Sequence, residues 1–212
     1  MNVTKRSARP TGALILAPRR DLCLDYANTL AWRGSAPSES LHNLPDVVQW
    51  CASAGAPLAG AIEHSESWTE QHPAEAAVIF REAIALREML YRIFHAIAVG
   101  SRPKESELSQ LNRALHLAPT RNVLVAAGEG FGWRVEEAAR LTTAPTLLAS
   151  VLWSAGDLLT SVQLARVREC ANSKCLWLFL DESKNGTRRW CSMTACGNRA
   201  KAHRHYARVK GG

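Results

Sequence analysis

The stretch Cys170-Ala-Asn-Ser-Lys-Cys175, Leu176-Trp-Leu-Phe-Leu-Asp181-Glu-Ser-Lys-Asn-Gly186-Thr-Arg-Arg-Trp190, Cys191-Ser-Met-Thr-Ala-Cys196 decides how the C-terminal part of the chain is built. Four residues separate the cysteines within each pair, and fifteen separate the pairs. Two short loops of this kind can each offer two thiolates to one ion, and the fifteen residues between them suit a hairpin. Leu176 to Leu180 is apolar and strand-like, Asn185-Gly186 is a strong two-residue turn signal, and Thr187 to Trp190 leads back to the third cysteine. The residues after Cys196 are compatible with a helix. A loop with two cysteines, a hairpin, and a cysteine at a helix start together predict a treble-clef-like zinc finger. Four thiolates fill a tetrahedral shell and leave no position for water, so one structural Zn²⁺ per chain is expected at Cys170, Cys175, Cys191 and Cys196. A module this small has little apolar area of its own, and structural zinc contributes about 10–16 kcal/mol of apparent binding energy in such cases. Two disulfides or plain buried thiols are the competing readings. His203 and His205 could serve as ligands, but four cysteines already suffice.

Working outward, charge marks the same module. The chain has 212 residues and a formal net charge of +7. Residues 1–165 carry 15 basic and 16 acidic side chains, whereas residues 166–212 carry 11 basic and 3 acidic. The positive excess is therefore confined to the C-terminal part. A domain of 1–166, with 1–12 as a loose polar arm, followed by a module of 167–212 is the expected division. Apolar residues at 47% and charged residues at 21% describe an ordinary folded domain. No apolar run approaches the roughly 20 residues of a membrane-spanning helix. The apolar stretch at 13–17 is too short for the core of a signal peptide and is followed by Arg19 and Arg20. A reducing cytoplasm is the expected compartment, and there clustered cysteines favour metal over disulfides.

The N-terminal part reads as mainly helical. Leu22 to Trp32 suits a short helix, or a strand passing into one, and 33–43 a loop. Pro45 suits a first helical turn, with Val47, Val48 and Cys51 on one face and Gly55 as the stop. The strongest helix runs from about Ala74 to Val99: Ile79, Ala83, Leu86, Leu90, Ile93 and Ile97 recur at three- and four-residue steps before Gly100. Pro103 opens another helix, with Leu108, Leu111 and Leu115 on one side. Residues 121–136, with Gly128 and Gly130, read as a hairpin. A last long helix is expected from Pro145, with a stripe of Leu148, Leu152, Ala155, Leu159, Val162 and Ala165, running straight into the cysteine module. The fold class is thus mainly α (α+β): a helical domain with one small β-hairpin, followed by the Cys₄ finger.

No P-loop, nucleophile elbow, zincin or dinucleotide motif is present, so an enzyme is not expected. His42, His64, His72, His95 and His116 form no ligand spacing, and Cys23 and Cys51 read as small buried side chains. Asp25, Asn28 and Thr29 are the polar exception amid Leu22, Leu24, Tyr26 and Leu30. On one helical face they could line a ligand pocket for a small-molecule effector; capping and hydrogen bonding between elements are their plainer roles.

The stretch from Arg166 through Cys175-Leu-Trp-Leu-Phe-Leu-Asp181-Glu-Ser183 to Arg188-Arg-Trp-Cys191-Ser-Met193-Thr-Ala-Cys196-Gly-Asn-Arg199 resembles the CGNR zinc-finger family, whose signature stands at 196–199. Leu22-Cys-Leu-Asp25-Tyr-Ala-Asn28-Thr29-Leu30 resembles the opening of the helical ABATE domain found with this finger. The resemblance implies a stress-induced bacterial transcription regulator that binds DNA. Arg188 and Arg189 precede the third ligand, while Arg199, Lys201, Arg204 and Arg208 follow the fourth, and these six are the candidates for phosphate or base contact on duplex DNA. The same cations could instead offset a Zn(Cys)₄ centre, which carries about −2. A zinc-stabilised protein-interaction module is therefore the alternative. Trp177, Phe179 and Trp190 are expected in the hairpin core rather than as base-stacking platforms. A homodimer is a further expectation, because DNA regulators often use two-fold sites.

Overall fold

The computed structural model describes residues 13–16, 18–56, 67–135 and 143–202. The expected arm at 1–12 and the basic residues Arg204 and Arg208, with His203 and His205, lie outside the described residues. Helix α4 (Pro73–Ala98) is the spine. Its apolar positions recur every three or four residues, so Ala76, Ile79, Ala83, Leu90, Ile93 and Phe94 all fall on its buried side. Pro73 opens it and Gly100, in the left-handed region with φ 78°, ends it. Around the spine pack α1 (Leu22–Ala27), α2 (Leu44–Ser53), α5 (Glu105–Leu117) and the short α6 (Ala144–Leu147). Between α2 and α4 lies a short helical stretch, α3, at 67–71. Helix α7 (Ala149–Leu159) packs against α1 and α5. In α2 the Asn43 side chain accepts from the Asp46 N–H at 2.9 Å, which caps the helix that Pro45 begins.

The expected hairpin is β4 (Val123–Ala127) with β5 (Gly130–Val135), turned at Gly128 with φ 58°. A third strand, β1 (Ala13–Leu16), adds to the free edge of β5, pairing Ala13 with Val135 and Leu16 with Gly132. A second small pair, β2 (Leu30–Ala31) with β3 (Ser38–Glu39), closes the loop after α1.

The long helix expected from Pro145 into the cysteine module is corrected. It breaks between α6 and α7, and α7 ends at Leu159. Thr160 Oγ1 donates to the Gly156 carbonyl at 2.9 Å, and Ser161 is extended, its Oγ accepting from the Gln163 N–H at 3.2 Å. A single 3₁₀ turn at Val162–Arg166 follows, in which Val162 is 95% exposed instead of continuing the apolar stripe. The chain must then become extended, because β6 (Val167–Glu169) pairs antiparallel with β7 (Leu178–Leu180).

That pairing corrects the expected finger hairpin as well. The partner of Leu178–Leu180 is the strand before the first cysteine, not the return limb after Gly186, and residues 187–190 form no strand. The β6–β7 pair lies on α4, and Val167, Leu178 and Leu180 join the same hydrophobic core as α1, α4 and α7. The chain past 166 is therefore anchored to the helical part by shared packing. Each fully buried Leu or Val side chain contributes about 1.5–3 kcal/mol of transfer energy there.

Candidate metal centre

The β6–β7 ladder sets the first cysteine loop. Beyond β6 the Cys170 N–H donates to the Trp177 carbonyl at 2.9 Å, just before β7 begins. Between them the chain turns on Asn172, whose carbonyl accepts from the Cys175 N–H at 2.8 Å and whose side-chain oxygen accepts from the Lys174 N–H at 3.1 Å. Leu176 completes this turn with φ 55°, and its carbonyl accepts from the Tyr91 hydroxyl of α4 at 3.2 Å. The second loop is drawn in by the Ala171 N–H, which donates to the Arg189 carbonyl at 2.8 Å. From Met193 to Gly197 the chain makes a wide helical turn in which the Cys196 and Gly197 N–H groups both donate to Ser192 O, at 3.1 and 3.0 Å. A Cβ on Gly197 would lie 2.8 Å from Met193 Sδ, so the glycine makes room for the methionine side chain.

These turns gather Cys170, Cys175, Cys191 and Cys196, with their sulfurs all within 4.8 Å of one another. The Cys175–Cys191 and Cys191–Cys196 sulfur separations are 3.7 and 3.8 Å. A tetrahedron with Zn–S bonds of about 2.3 Å has edges of about 3.8 Å. A disulfide needs about 2.05 Å, and none of the six cysteines forms one. The donor set and its spacing fit one structural zinc, at separations too long for a sulfur–sulfur bond.

The thiols also show why an ion belongs there. Hydrogen bonds from the thiol and backbone of Cys191, with one from the Asn172 backbone, bring Cys170 down to about 5. Burial pushes Cys175 up to about 12, and the hydrogen bond to Cys170 drives Cys191 upward, with burial and the neighbouring sulfur charges adding to it. Four such groups cannot all ionise at close range on their own; a divalent ion reverses that balance. Asn172 Nδ2 donates to Cys196 Sγ at 3.5 Å, the kind of surrounding hydrogen bond that tunes a thiolate ligand.

Asp181 braces the loop between the pairs, as its position before the turn suggests. It is fully buried, and it accepts from the Ser183 N–H at 2.9 Å, the Ser183 hydroxyl at 2.5 Å and the Arg188 N–H at 2.9 Å. Burial alone would raise its pKa, but the Ser183 and Arg188 hydrogen bonds outweigh it and hold the carboxyl below its ordinary range.

Of the basic candidates, Arg188 is committed within the finger. Its guanidinium donates to the carbonyls of Trp190, at 2.9 Å, and Cys191, and lies over the Phe179 ring at 4.5 Å. Arg189, Arg199 and Lys201 are exposed. Asp25, Asn28 and Thr29 are not brought together as pocket walls, because α1 ends at Ala27 and the three side chains diverge. Asp25 pairs with Arg19 at the surface. Thr29 Oγ1 donates to the Tyr26 carbonyl at 2.8 Å. Asn28 reaches β7, where Nδ2 donates to the Leu178 carbonyl at 2.8 Å and Oδ1 accepts the Leu178 N–H at 3.0 Å. A polar residue that reads as a candidate ligand contact is a clasp between α1 and the finger.

Sequence reasoning missed a second clasp. Arg33 makes two bonds to Glu88, at 2.7 and 3.0 Å, donates to the Ala27 carbonyl at 3.0 Å, and lies over Tyr91 at 3.9 Å. Glu88 also receives the buried Arg87, which reaches Glu39 at 2.5 Å. This network fixes the loop after β2, so that Gly34 lies flat on the first cysteine loop; a Cβ there would sit 1.9 Å from the Ser173 carbonyl oxygen. The one signal was the glycine itself, directly after Trp32 and Arg33.

A helical domain bearing a Cys₄ structural zinc finger is the class these features define. The family model described as "Putative stress-induced transcription regulator" (ABATE) matches residues 20–162, and the CGNR zinc-finger model matches residues 166–209. The chain belongs to the ABATE family and carries a CGNR zinc finger. No curated protein matches it. Among the described residues no helix is long and apolar enough to cross a membrane.

Proposed function

We propose that this chain is a DNA-binding transcription regulator whose zinc finger carries the nucleic-acid surface, and that it is a binding protein rather than an enzyme. The observation that supports this most directly is electrostatic. Lys174, Arg189, Arg199 and Lys201 are exposed around the metal centre, and among the described residues none of their side chains meets a carboxylate. Cations left without acidic partners on one compact module are the footprint of phosphate contact. Four thiolates and one Zn²⁺ lower the +8 of residues 166–212 to about +6, which still leaves a strong positive excess. Arg204 and Arg208 extend the same basic run in sequence. The family description as a transcription regulator points the same way.

The test is a binding titration of the zinc-loaded chain against DNA across a salt series. Phosphate contact requires log affinity to fall linearly with log salt, with a slope of about 0.9 per neutralised phosphate on duplex and about 0.7 on single strands. Neutralising Arg199 and Lys201 together should reduce that slope by about one to two. Arg188→Ala should act differently, lowering the finger's thermal stability, because its donors hold the Trp190 and Cys191 carbonyls. No binding to duplex or single strands at low salt, with zinc present, would refute the reading and leave the basic surface to an acidic protein partner.

A further inference from the structure

Trp32 has a backbone φ of 55°, a conformation that is strained for a bulky side chain and persists only where surroundings impose it. Here they do. Arg33 is held by Glu88 and the Ala27 carbonyl, Gly34 lies against the Ser173 backbone, and Ser35 Oγ donates to the Lys174 carbonyl at 3.2 Å. The result is that an indole from the helical domain is laid against the cysteine cluster. It forms one wall of a half-open groove of about 710 Å³, within the usual range for small-ligand sites. Trp190, Asn172, Lys174, Arg189 and Arg199 supply much of the rest, and among the described residues no carboxylate lines it.

Two of the cations in this groove lie over aromatic rings. The Arg199 guanidinium lies 4.7 Å from the Trp32 ring centre, and that of Arg189 lies 5.6 Å from Trp190. Stacking occupies a face of a guanidinium and leaves its N–H edges available. If these arginines only balanced the thiolate centre, their N–H groups would be expected on sulfur. Among the described residues the side-chain N–H on sulfur comes from Asn172 instead.

The geometry points to this groove as the seat of one unstacked nucleotide, its base against the tryptophan–arginine walls and its phosphate met by Lys174, Arg189 and Arg199. This builds on the DNA reading above for the source of that nucleotide. A base inside a duplex shows only its edges in the grooves, whereas a single strand or an extruded base offers the face that an aromatic wall requires. The groove therefore favours single-stranded nucleic acid, or a base turned out of the stack, over an intact duplex. A free nucleotide carries the same chemistry and is the other source.

The experiment uses the full zinc-loaded chain and fluorescence anisotropy. Labelled single-stranded DNA of mixed sequence, the duplex of that sequence, and a fluorescently labelled adenosine monophosphate are compared for wild type, Trp32→Leu and Trp32→Phe. Single strands should bind at least ten-fold more tightly than duplex at equal salt. Trp32→Leu should weaken single-strand binding about 5- to 100-fold, as the loss of a base–aromatic stack does, while duplex affinity changes less than two-fold. Trp32→Phe should recover most of the loss, which separates a stacking role from a folding defect, and one zinc per chain with wild-type melting confirms that both variants are folded. Duplex preferred over single strand, with Trp32→Leu neutral, overturns the groove and leaves the DNA reading intact. Direct anisotropy binding of the labelled adenosine monophosphate that Trp32→Leu abolishes, without binding of either oligonucleotide, sustains the groove with free nucleotide as its source and overturns the DNA reading. No binding of any of the three overturns both.

Discussion

Replacing Asn28 by alanine tests how the finger is held. The side chain is 3% exposed and gives both of its amide functions to one residue, donating to the Leu178 carbonyl at 2.8 Å and accepting the Leu178 N–H at 3.0 Å. Leu178 is itself 1% exposed, so water does not replace the lost partner. Each bond contributes about 1 kcal/mol net, but leaving a buried donor and a buried acceptor without partners costs about 1–3 kcal/mol each. Glu169 opposite it in the ladder does not replace the partner, because the ladder's bonds run at Cys170–Trp177 and Arg166–Asp181 and leave the Leu178 N–H and carbonyl facing Asn28. The expected loss is about 2–6 kcal/mol, or about 4–24 °C in melting temperature for a chain of this size. Urea unfolding of the zinc-saturated protein, with the slope unchanged and the midpoint lowered, is the measurement. Asn28→Asp should be no milder, because a carboxylate can accept from the Leu178 N–H but faces the Leu178 carbonyl with another acceptor. A loss below about 0.5 kcal/mol for Asn28→Ala would refute the clasp. It would return Asn28 to the role of a ligand contact, whose removal leaves stability unchanged.

Three further perturbations follow from the same contacts. One zinc per chain should be measured by metal analysis, and Cys175→Ser should reduce it several-fold and lower thermal stability; near-zero zinc in the wild type would overturn the metal centre. Gly34→Ala forces the Trp32 loop away from the Ser173 carbonyl, 1.9 Å from the new Cβ, and should cost at least the roughly 1–3 kcal/mol of an overpacked contact, read by urea unfolding. Asp181, held below its ordinary pKa, contributes stability that is present above the unfolded value near 4 and is lost as pH falls through its lower folded value. The stability difference between wild type and Asp181→Asn should therefore be largest above pH ~4 and shrink below it, and a pH-independent difference would contradict the assigned hydrogen bonds.

Much of this was legible in the sequence, and the reasons are physical. The Pro73–Ala98 helix announced itself because burial on one face demands a three- and four-residue period, and the metal centre because two cysteine pairs at short spacing match the ligand pattern of a structural zinc. The end of α7 was not legible. Leu159, Val162 and Ala165 keep the helical period, and what stops the helix is a hydrogen bond from Thr160 back to Gly156 together with the demand that Val167 pair in a strand with Leu180. The pairing of β7 with β6 rather than with the return limb was hidden for a related reason. Asn185-Gly186 does make a turn, with φ 62° at the glycine, but Arg188 and Asp181 use the return limb for hydrogen bonds that no ladder could share. Asn28 was legible as an exceptional polar residue, and its partner, 150 positions away in sequence, was not.

The position of β7 bears on how the two parts work together. Its side chains Leu178 and Leu180 belong to the core built on α4, its backbone is held by Asn28, and the residue before it, Trp177, accepts from the first zinc ligand. The Tyr91 hydroxyl of α4 fixes the Leu176 carbonyl directly after the second ligand, and Ser35 and Gly34 close on the loop between those ligands. A metal centre tied at this many points is not a bead on a tether. Any force on the cysteine loops is delivered to α4 through hydrogen bonds and packed side chains that have little room to yield. Trp32 sits at that junction, carried by the helical domain yet walling the groove beside the cysteines. Occupation of the groove would bear on the zinc loops and the helical domain at once. The strained Trp32 backbone is then best understood as the cost of building one surface from both parts, a cost met by the Arg33–Glu88 pair and the close fit of Gly34.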